Sequence, residues 1–115
     1  MRAMNRTRNT MLIEQGKVAA NMWARMRGLL GHPPLKSGEG LLLQGEQAIH
    51  TVGMSFPIDV LFLDRTGQVV HLMSALPPWR FSRFIWHAKN VLELPSGKIR
   101  ETGTTNGDQI EIQFD

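Results

Sequence analysis

An aspartate and two histidines carry the first suggestion of chemistry in this sequence. Asp59 falls inside Ile58 to Asp64, a run otherwise apolar until its last residue, and His71 falls in the next run, Gln68 to Leu76. Between them, Asp64-Arg65-Thr66-Gly67 suits a type I turn closed by a left-handed glycine, a common hairpin loop. A loop over residues 65–67 sets Asp64 opposite Gln68, so Leu61 is expected to face His71 and Asp59 to face Met73. His71 would then lie diagonal to Asp59 on one face, within side-chain reach. His50, nine residues before Asp59 across the bend Val52-Gly53-Met54, is a second imidazole placed to fold back toward it. An imidazole oriented by a carboxylate is a general base.

The same aspartate supports a plainer role. Ile58, Val60 and Phe62 form one face of their strand, and Asp59, Leu61 and Leu63 form the other. A strand apolar on both faces is expected to be central in its sheet. A carboxylate buried there must be paired. His50, His71, Arg27 and the free N–H groups of the Gly53 bend are the candidate partners. Aspartates at loop ends commonly accept backbone N–H bonds, so the leading reading is a structural staple of the loop from Gly53 to Pro57.

Other chemistries find less support. The chain has no cysteine, which removes thiolate nucleophiles, thiolate metal sites and disulfides. Gly53-Met54-Ser55-Phe56-Pro57 lacks the second glycine and the strand-to-helix setting of a nucleophile elbow. Asp59 and Asp64 are five apart on a strand, so they point to opposite faces and cannot share a substrate bond. The histidines, at 32, 50, 71 and 87, are too scattered for a short-spaced zinc motif. No metal and no cofactor is expected.

Residues 77–90 form a second unusual stretch. Trp79, Phe81, Phe84 and Trp86 are four of the eight aromatic residues, interleaved with Arg80, Arg83 and Lys89. Such interleaving can stack bases and grip phosphates, or sit at a membrane surface. The plainer reading, which we favour, is that the rings cover an open end of the fold while the bases stay in water.

The elements that must position these groups are mostly strands. Thr10 to Glu14 reads as a strand, with Gly16-Lys17 as its turn and Lys17 to Ala20 as a partner. Asn21 can cap a helix on which Met22, Met26, Leu29 and Leu30 recur at helical spacing. Gly31 followed by His32-Pro33-Pro34 stops it. Gly40 to Gln44, Ala48 to Val52, Ile58 to Asp64, Gln68 to Leu76, Val91 to Leu94 and Gln109 to Phe114 read as strands. Ser96 caps a short helical turn ending at Gly103. This pattern predicts a mainly β fold, a small barrel or sandwich, with one N-terminal α-helix and a short helical turn near the C-terminus.

With 115 residues, 42% hydrophobic and 20% charged, the chain is expected to be one domain over residues 10–115, preceded by a flexible arm at 1–9. No apolar run approaches a spanning helix or a signal peptide, so a cytoplasmic location is the expectation. The net charge of +3 hides an asymmetry: residues 1–36 hold seven basic side chains against Glu14 alone, while residues 101–115 are purely acidic.

Four motifs occur in order: Arg27-Gly28-Leu29-Leu30-Gly31; His50-Thr51-Val52-Gly53-Met54 with Pro57-Ile58-Asp59-Val60-Leu61-Phe62-Leu63-Asp64; Val91-Leu92-Glu93-Leu94-Pro95-Ser96-Gly97; and Gly107-Asp108. Together they resemble the family catalogued as domain of unknown function 192, over about residues 10 to 114. That resemblance implies a compact β-rich fold and no assigned reaction.

Three functions remain in play. The first is a non-catalytic binding module, with a polar concavity near Arg27, His50, Thr51, Asp59 and His71, rimmed by Trp79 and Arg80, for a small anionic ligand or a protein segment. The second is a small enzyme using His50 or His71 as a base oriented by Asp59; an enzyme is disfavoured because no full catalytic set is recognisable. The third, a weak binder of nucleic acid or membrane surfaces, ranks last, because the acidic C-terminal strand offsets the basic field.

Overall fold

A computed structural model describes residues 1–21, 23–25 and 31–115. Eight strands among them form two sheets. The first sheet joins β1 (Arg2–Asn5), β2 (Thr10–Ile13) and β8 (Ile110–Gln113) in the order β2-β1-β8. The second contains β3 (Gln15–Ala19), β4 (Glu39–Gln44), β5 (Ile58–Leu63), β6 (Val69–Leu76) and β7 (Asn90–Pro95), in the order β3-β4-β7-β5-β6. One short helix, α1 (Lys98–Thr102), follows β7.

The expected barrel is not formed. Closure would require β3 to meet β6, and these are the two opposite edges of the larger sheet. The cause lies in the early connections. Gln15 to Ala19 does not turn back on Thr10 to Ile13; it leaves for the other sheet and pairs in parallel with β4. A parallel pair needs a long crossover rather than a tight turn, so Gly16-Lys17 lies within a strand. Gly16 and Gly40 are opposite each other in that pair. A Cβ on Gly40 would collide with Ile13, so the missing side chains admit Ile13 to the core.

The N-terminal helix of the sequence reading is also corrected. Residues 23–25 are helical, and Asn21 does accept the Ala24 N–H through its side chain at 2.8 Å. The rest of that expected helix, from Met22 and Met26 to Leu30, lies outside the described residues. The residues assigned to an N-terminal arm include β1, which sits between β2 and β8 with Ala3 and Asn5 buried.

Two apolar layers flank the larger sheet. Leu42, Leu61, Leu63, Leu92 and Leu94 pack with Leu12, Ile13, Ile99 and Ile110 between the sheets. Leu41, Leu43, Val60, Phe62 and Val91 pack on the other side under loop residues Ile49, Met54, Phe56, Ile85 and Ala88. All six residues of β5 are buried, as expected of a strand apolar on both faces. The segment 77–89 thus runs over the second layer as a cover, with Ile85 and Ala88 turned inward.

Candidate functional site

The structure separates Asp59 from both histidines. One Asp59 carboxylate oxygen accepts the Ala75 N–H at 2.7 Å; the other accepts the N–H groups of Gly97 at 3.1 Å and Ile99 at 2.8 Å. Asp59 is fully buried and satisfied by backbone donors. It is a staple, but of other segments than Gly53 to Pro57. It fills the bulge of β6 around Ala75, and it caps α1 from across the core in place of Ser96, since α1 has no side-chain cap of its own.

His71 lies on the other face of the sheet. Asp64 and Gln68 close the hairpin as expected, with the Asp64 N–H donating to Gln68 at 2.9 Å. An irregularity then intervenes: Leu63 pairs with Val69, but Phe62 pairs with His71. The extra residue, Val70, flips the side chains from His71 to Met73, up to the second bulge at Ala75. His71 therefore sits beside the Phe62 ring, centroids 5.6 Å apart, instead of facing Leu61.

His50 belongs to a different cluster, built on a pair that the sequence reading did not bring together. The Arg25 guanidinium donates through Nε to both Glu93 carboxylate oxygens, each at 2.9 Å, and its Nη2 lies 2.6 Å from one of them. Both side chains are fully buried. Arg25 also donates to the His50 carbonyl and touches the Met54 sulfur at 3.2 Å. Burial pushes the Glu93 carboxyl above its ordinary range, and the Arg25 charge and hydrogen bonds pull it back. The one available signal was Glu93 inside the apolar run Val91 to Leu94: a central strand cannot leave such a carboxylate unpaired. Arg27 lies outside the described residues.

The His50 ring accepts the Val52 N–H on Nδ1 at 3.2 Å and leans on Phe81, centroids 5.8 Å apart. Burial, then the Arg25 charge, lowers its pKa. Burial, then Arg83, does the same for His71. Among the described residues neither imidazole is hydrogen-bonded to a carboxylate, and Asp59, the orienting group of the alternative general-base reading, is bonded to backbone N–H groups instead.

Thr51, Trp79 and Arg80 do come together. Thr51 is fully buried and ties residues 77–80 to the body of the protein. Its hydroxyl donates to the Pro77 carbonyl at 2.7 Å and accepts the Arg80 N–H at 2.9 Å. Its own N–H donates to the Arg80 carbonyl at 2.8 Å, and its carbonyl accepts the Trp79 N–H at 3.0 Å. Trp79 has a φ of 62°, a left-handed backbone that a bulky side chain rarely adopts. Further along, the Ser82 hydroxyl accepts the Ile49 N–H at 2.9 Å, and the Ser82 N–H donates to the Ile49 carbonyl. Trp79 is 62% and Phe81 74% exposed, with the Arg80 and Arg83 side chains also in water. The cover reading accounts for the inward residues of this segment and leaves these rings unexplained.

Among the described residues, no group of three or more His, Asp or Glu side chains is placed to hold a metal ion. No helix among them is long and apolar enough to cross a membrane.

The family model for domain of unknown function 192, described as uncharacterized ACR, COG1430, matches residues 4–112. The chain belongs to this family. A UPF0127 protein of Thermococcus sibiricus is 33% identical over 116 residues, covering 97% of this chain and 75% of the relative. A UPF0127 protein of Pyrococcus furiosus is 38% identical over 64 residues, 56% of this chain and 54% of that protein.

Two solved structures share the fold. One, from Novosphingobium aromaticivorans and of unknown function, superposes with a TM-score of 0.80 at 16% identity, covering 96% of this chain and 82% of its own. The other, from Sinorhizobium meliloti and provisionally called a transcription regulator, gives 0.77 at 22% identity, covering 96% and 89%. In this DUF192 chain the motif residues Thr51, Asp59, Glu93, Gly97 and Asp108 all serve as connectors between segments. Asp108, for instance, accepts hydrogen bonds from Asn5 at 2.9 Å, Arg8 at 2.8 Å and the Thr105 N–H at 3.1 Å.

Proposed function

We propose that this DUF192 protein is a non-catalytic binding module that captures an acidic protein segment on the surface made by Trp79, Arg80, Phe81 and Arg83. One observation carries this reading: an exposed tryptophan is held in a costly left-handed backbone by a fully buried threonine. A non-glycine residue in that region costs about 1–3 kcal/mol and persists only where its surroundings enforce it. Glycine at position 79 would avoid the cost, and a ring that is 62% in water adds little to the core. A ring kept in place at a cost to stability serves a contact, and pinned aromatic and arginine side chains are the residues that dominate interfaces. Two arginines beside two rings favour a partner that pairs carboxylates with an apolar anchor.

The test is selection from a displayed peptide library on the full chain, followed by affinity measurement on resynthesised peptides. Enriched peptides should combine Asp or Glu with an aromatic or aliphatic anchor. Trp79→Ala and Arg80→Glu should each weaken binding about tenfold or more while the unfolding midpoint is unchanged. Peptides without such a pattern, or binding indifferent to both substitutions, would overturn the proposal.

A further inference from the structure

A second feature lies at the other end of the aromatic segment. A cleft of about 640 Å³ opens between the hairpin turn at 64–66 and residues 86–89. That volume falls within the range of small-molecule sites. Val70, the bulge residue, and buried Ala88 contribute its apolar part, and Trp86, 77% exposed, stands beside it. Arg65, His87 and Lys89 line it as well, all exposed.

The walls are fixed by hydrogen bonds that leave these basic side chains out. Gln47 donates through its side chain to the Trp86 carbonyl at 2.9 Å, and the Ile85 N–H donates to the Gln47 carbonyl at 2.8 Å. The Lys89 N–H donates to the Leu63 carbonyl at 2.7 Å, and the Lys89 carbonyl accepts the Gly45 N–H at 2.8 Å. Asp64 is the one carboxylate in the lining. One of its oxygens already accepts the Thr66 N–H at 2.9 Å, the Thr66 hydroxyl at 2.7 Å and the Gln68 N–H at 3.0 Å. These bonds hold that oxygen in the turn, and the single negative charge is set against Arg65, Lys89 and His87 in the lining.

We infer that this cleft is a binding site for a small planar aromatic anion, its ring against Trp86 and its charged group between Arg65 and Lys89. The site is distinct from the Trp79 surface and does not depend on it. An apolar floor with one flat wall selects a ring, and a rim of a guanidinium, an ammonium and an imidazole selects a carboxylate or a phosphate monoester.

The experiment is a fluorescence titration of the full chain with anilinonaphthalene sulfonate, an anion built on a flat naphthalene ring, against the neutral fluorophore phenylnaphthylamine. The anion should bind saturably at one site and the neutral dye far more weakly. Trp86→Ala and the pair Arg65→Glu with Lys89→Glu should each cost about tenfold or more in affinity, the loss expected of one stacking ring or of the charge pairing. Phe114→Ala, which removes an exposed ring elsewhere, should change nothing. These side chains are all exposed, so the variants fold, and circular dichroism verifies it. Displacement by adenosine monophosphate or by naphthoate distinguishes a phosphate from a carboxylate ligand. Equal affinity for the neutral dye, indifference to the substitutions, or displacement by neither competitor overturns the assignment.

Discussion

Trp79 donates its backbone N–H to the carbonyl of Thr51 at 3.0 Å, and that bond helps hold an exposed ring in a left-handed backbone. Further hydrogen bonds join Thr51 to Pro77 and Arg80 on either side. The geometry resembles the way Asp59 holds Ala75, whose φ is 52°. Asp59 shapes the end of the β6 strand at Ala75, which is itself exposed. Thr51 does the same a few residues later, where the side chain points into water.

Replacing Trp79 by glycine should therefore separate stability from binding. Relief of the left-handed backbone is worth about 1–2 kcal/mol and the added freedom of the unfolded chain costs about 0.5–1 kcal/mol. Urea denaturation of Trp79→Gly should show stability equal to or slightly above that of the parent, while peptide capture is lost. A clear loss of stability would mean that the ring is part of the core.

Thr51→Val removes the hydroxyl and keeps the shape. The Arg80 N–H and the Pro77 carbonyl lose their partner, at a cost of about 1–3 kcal/mol. Amide exchange should quicken at Arg80 and Trp79 and stay unchanged in β5 and β7.

Breaking the Arg25–Glu93 pair should be among the most damaging single changes. Arg25→Met or Glu93→Leu alone removes one half of a buried ion pair, at about 3–5 kcal/mol. The double replacement removes both charges and should recover most of that loss. A thermal-melt cycle of the four proteins measures the coupling, and purely additive losses would contradict the bidentate pairing.

Asp59→Asn turns an acceptor into a group that also carries N–H donors, facing the N–H groups of Ala75, Gly97 and Ile99. A loss of about 2–3 kcal/mol is expected, with faster amide exchange at those three residues. Unchanged exchange at Gly97 and Ile99 would remove Asp59 from its place as the cap of α1.

Stability should fall in mild acid. His50 and His71 both have pKa values lowered below the ordinary 6.5, chiefly by burial. The unfolded chain then takes up protons before the folded one, so stability declines as pH drops below 6.5 and levels off once the folded histidines protonate. The double variant His50→Gln with His71→Gln should flatten that part of the profile in urea melts at a series of pH values.

What the sequence could reveal was local. The burial of β5 followed from apolar residues on both of its faces, and the hairpin turn followed from Asp64 to Gly67. Asp59 as a staple followed from a carboxylate in that strand. Long-range pairing was hidden. Arg2–Asn5 carries no strand pattern, and its place depends on β8, more than a hundred residues away. Arg25 and Glu93 are 68 residues apart, and only the folded sheet reveals their pairing. The single extra residue at Val70 reversed the face of His71 and with it the Asp59–His71 reading. A bulge has no dependable sequence mark. Thr51 stands out in the sequence as a polar residue near the bend and Trp79 as an aromatic one in the 77–90 stretch, but the left-handed backbone of Trp79 is visible only in the structure.

The most direct test is the affinity of Thr51→Val for a peptide selected on the parent chain, measured with its dissociation rate. This variant keeps Trp79, Arg80, Phe81 and Arg83 and the backbone bonds of residue 51 to Trp79 and Arg80, and loses only the hydroxyl bonds to Pro77 and Arg80 that complete the clamp. If the clamp prepares the surface for its partner, affinity drops about tenfold through faster dissociation. An unchanged affinity in a folded Thr51→Val protein would contradict the account, because the hydroxyl's hold on residues 77–80 would then have no part in binding.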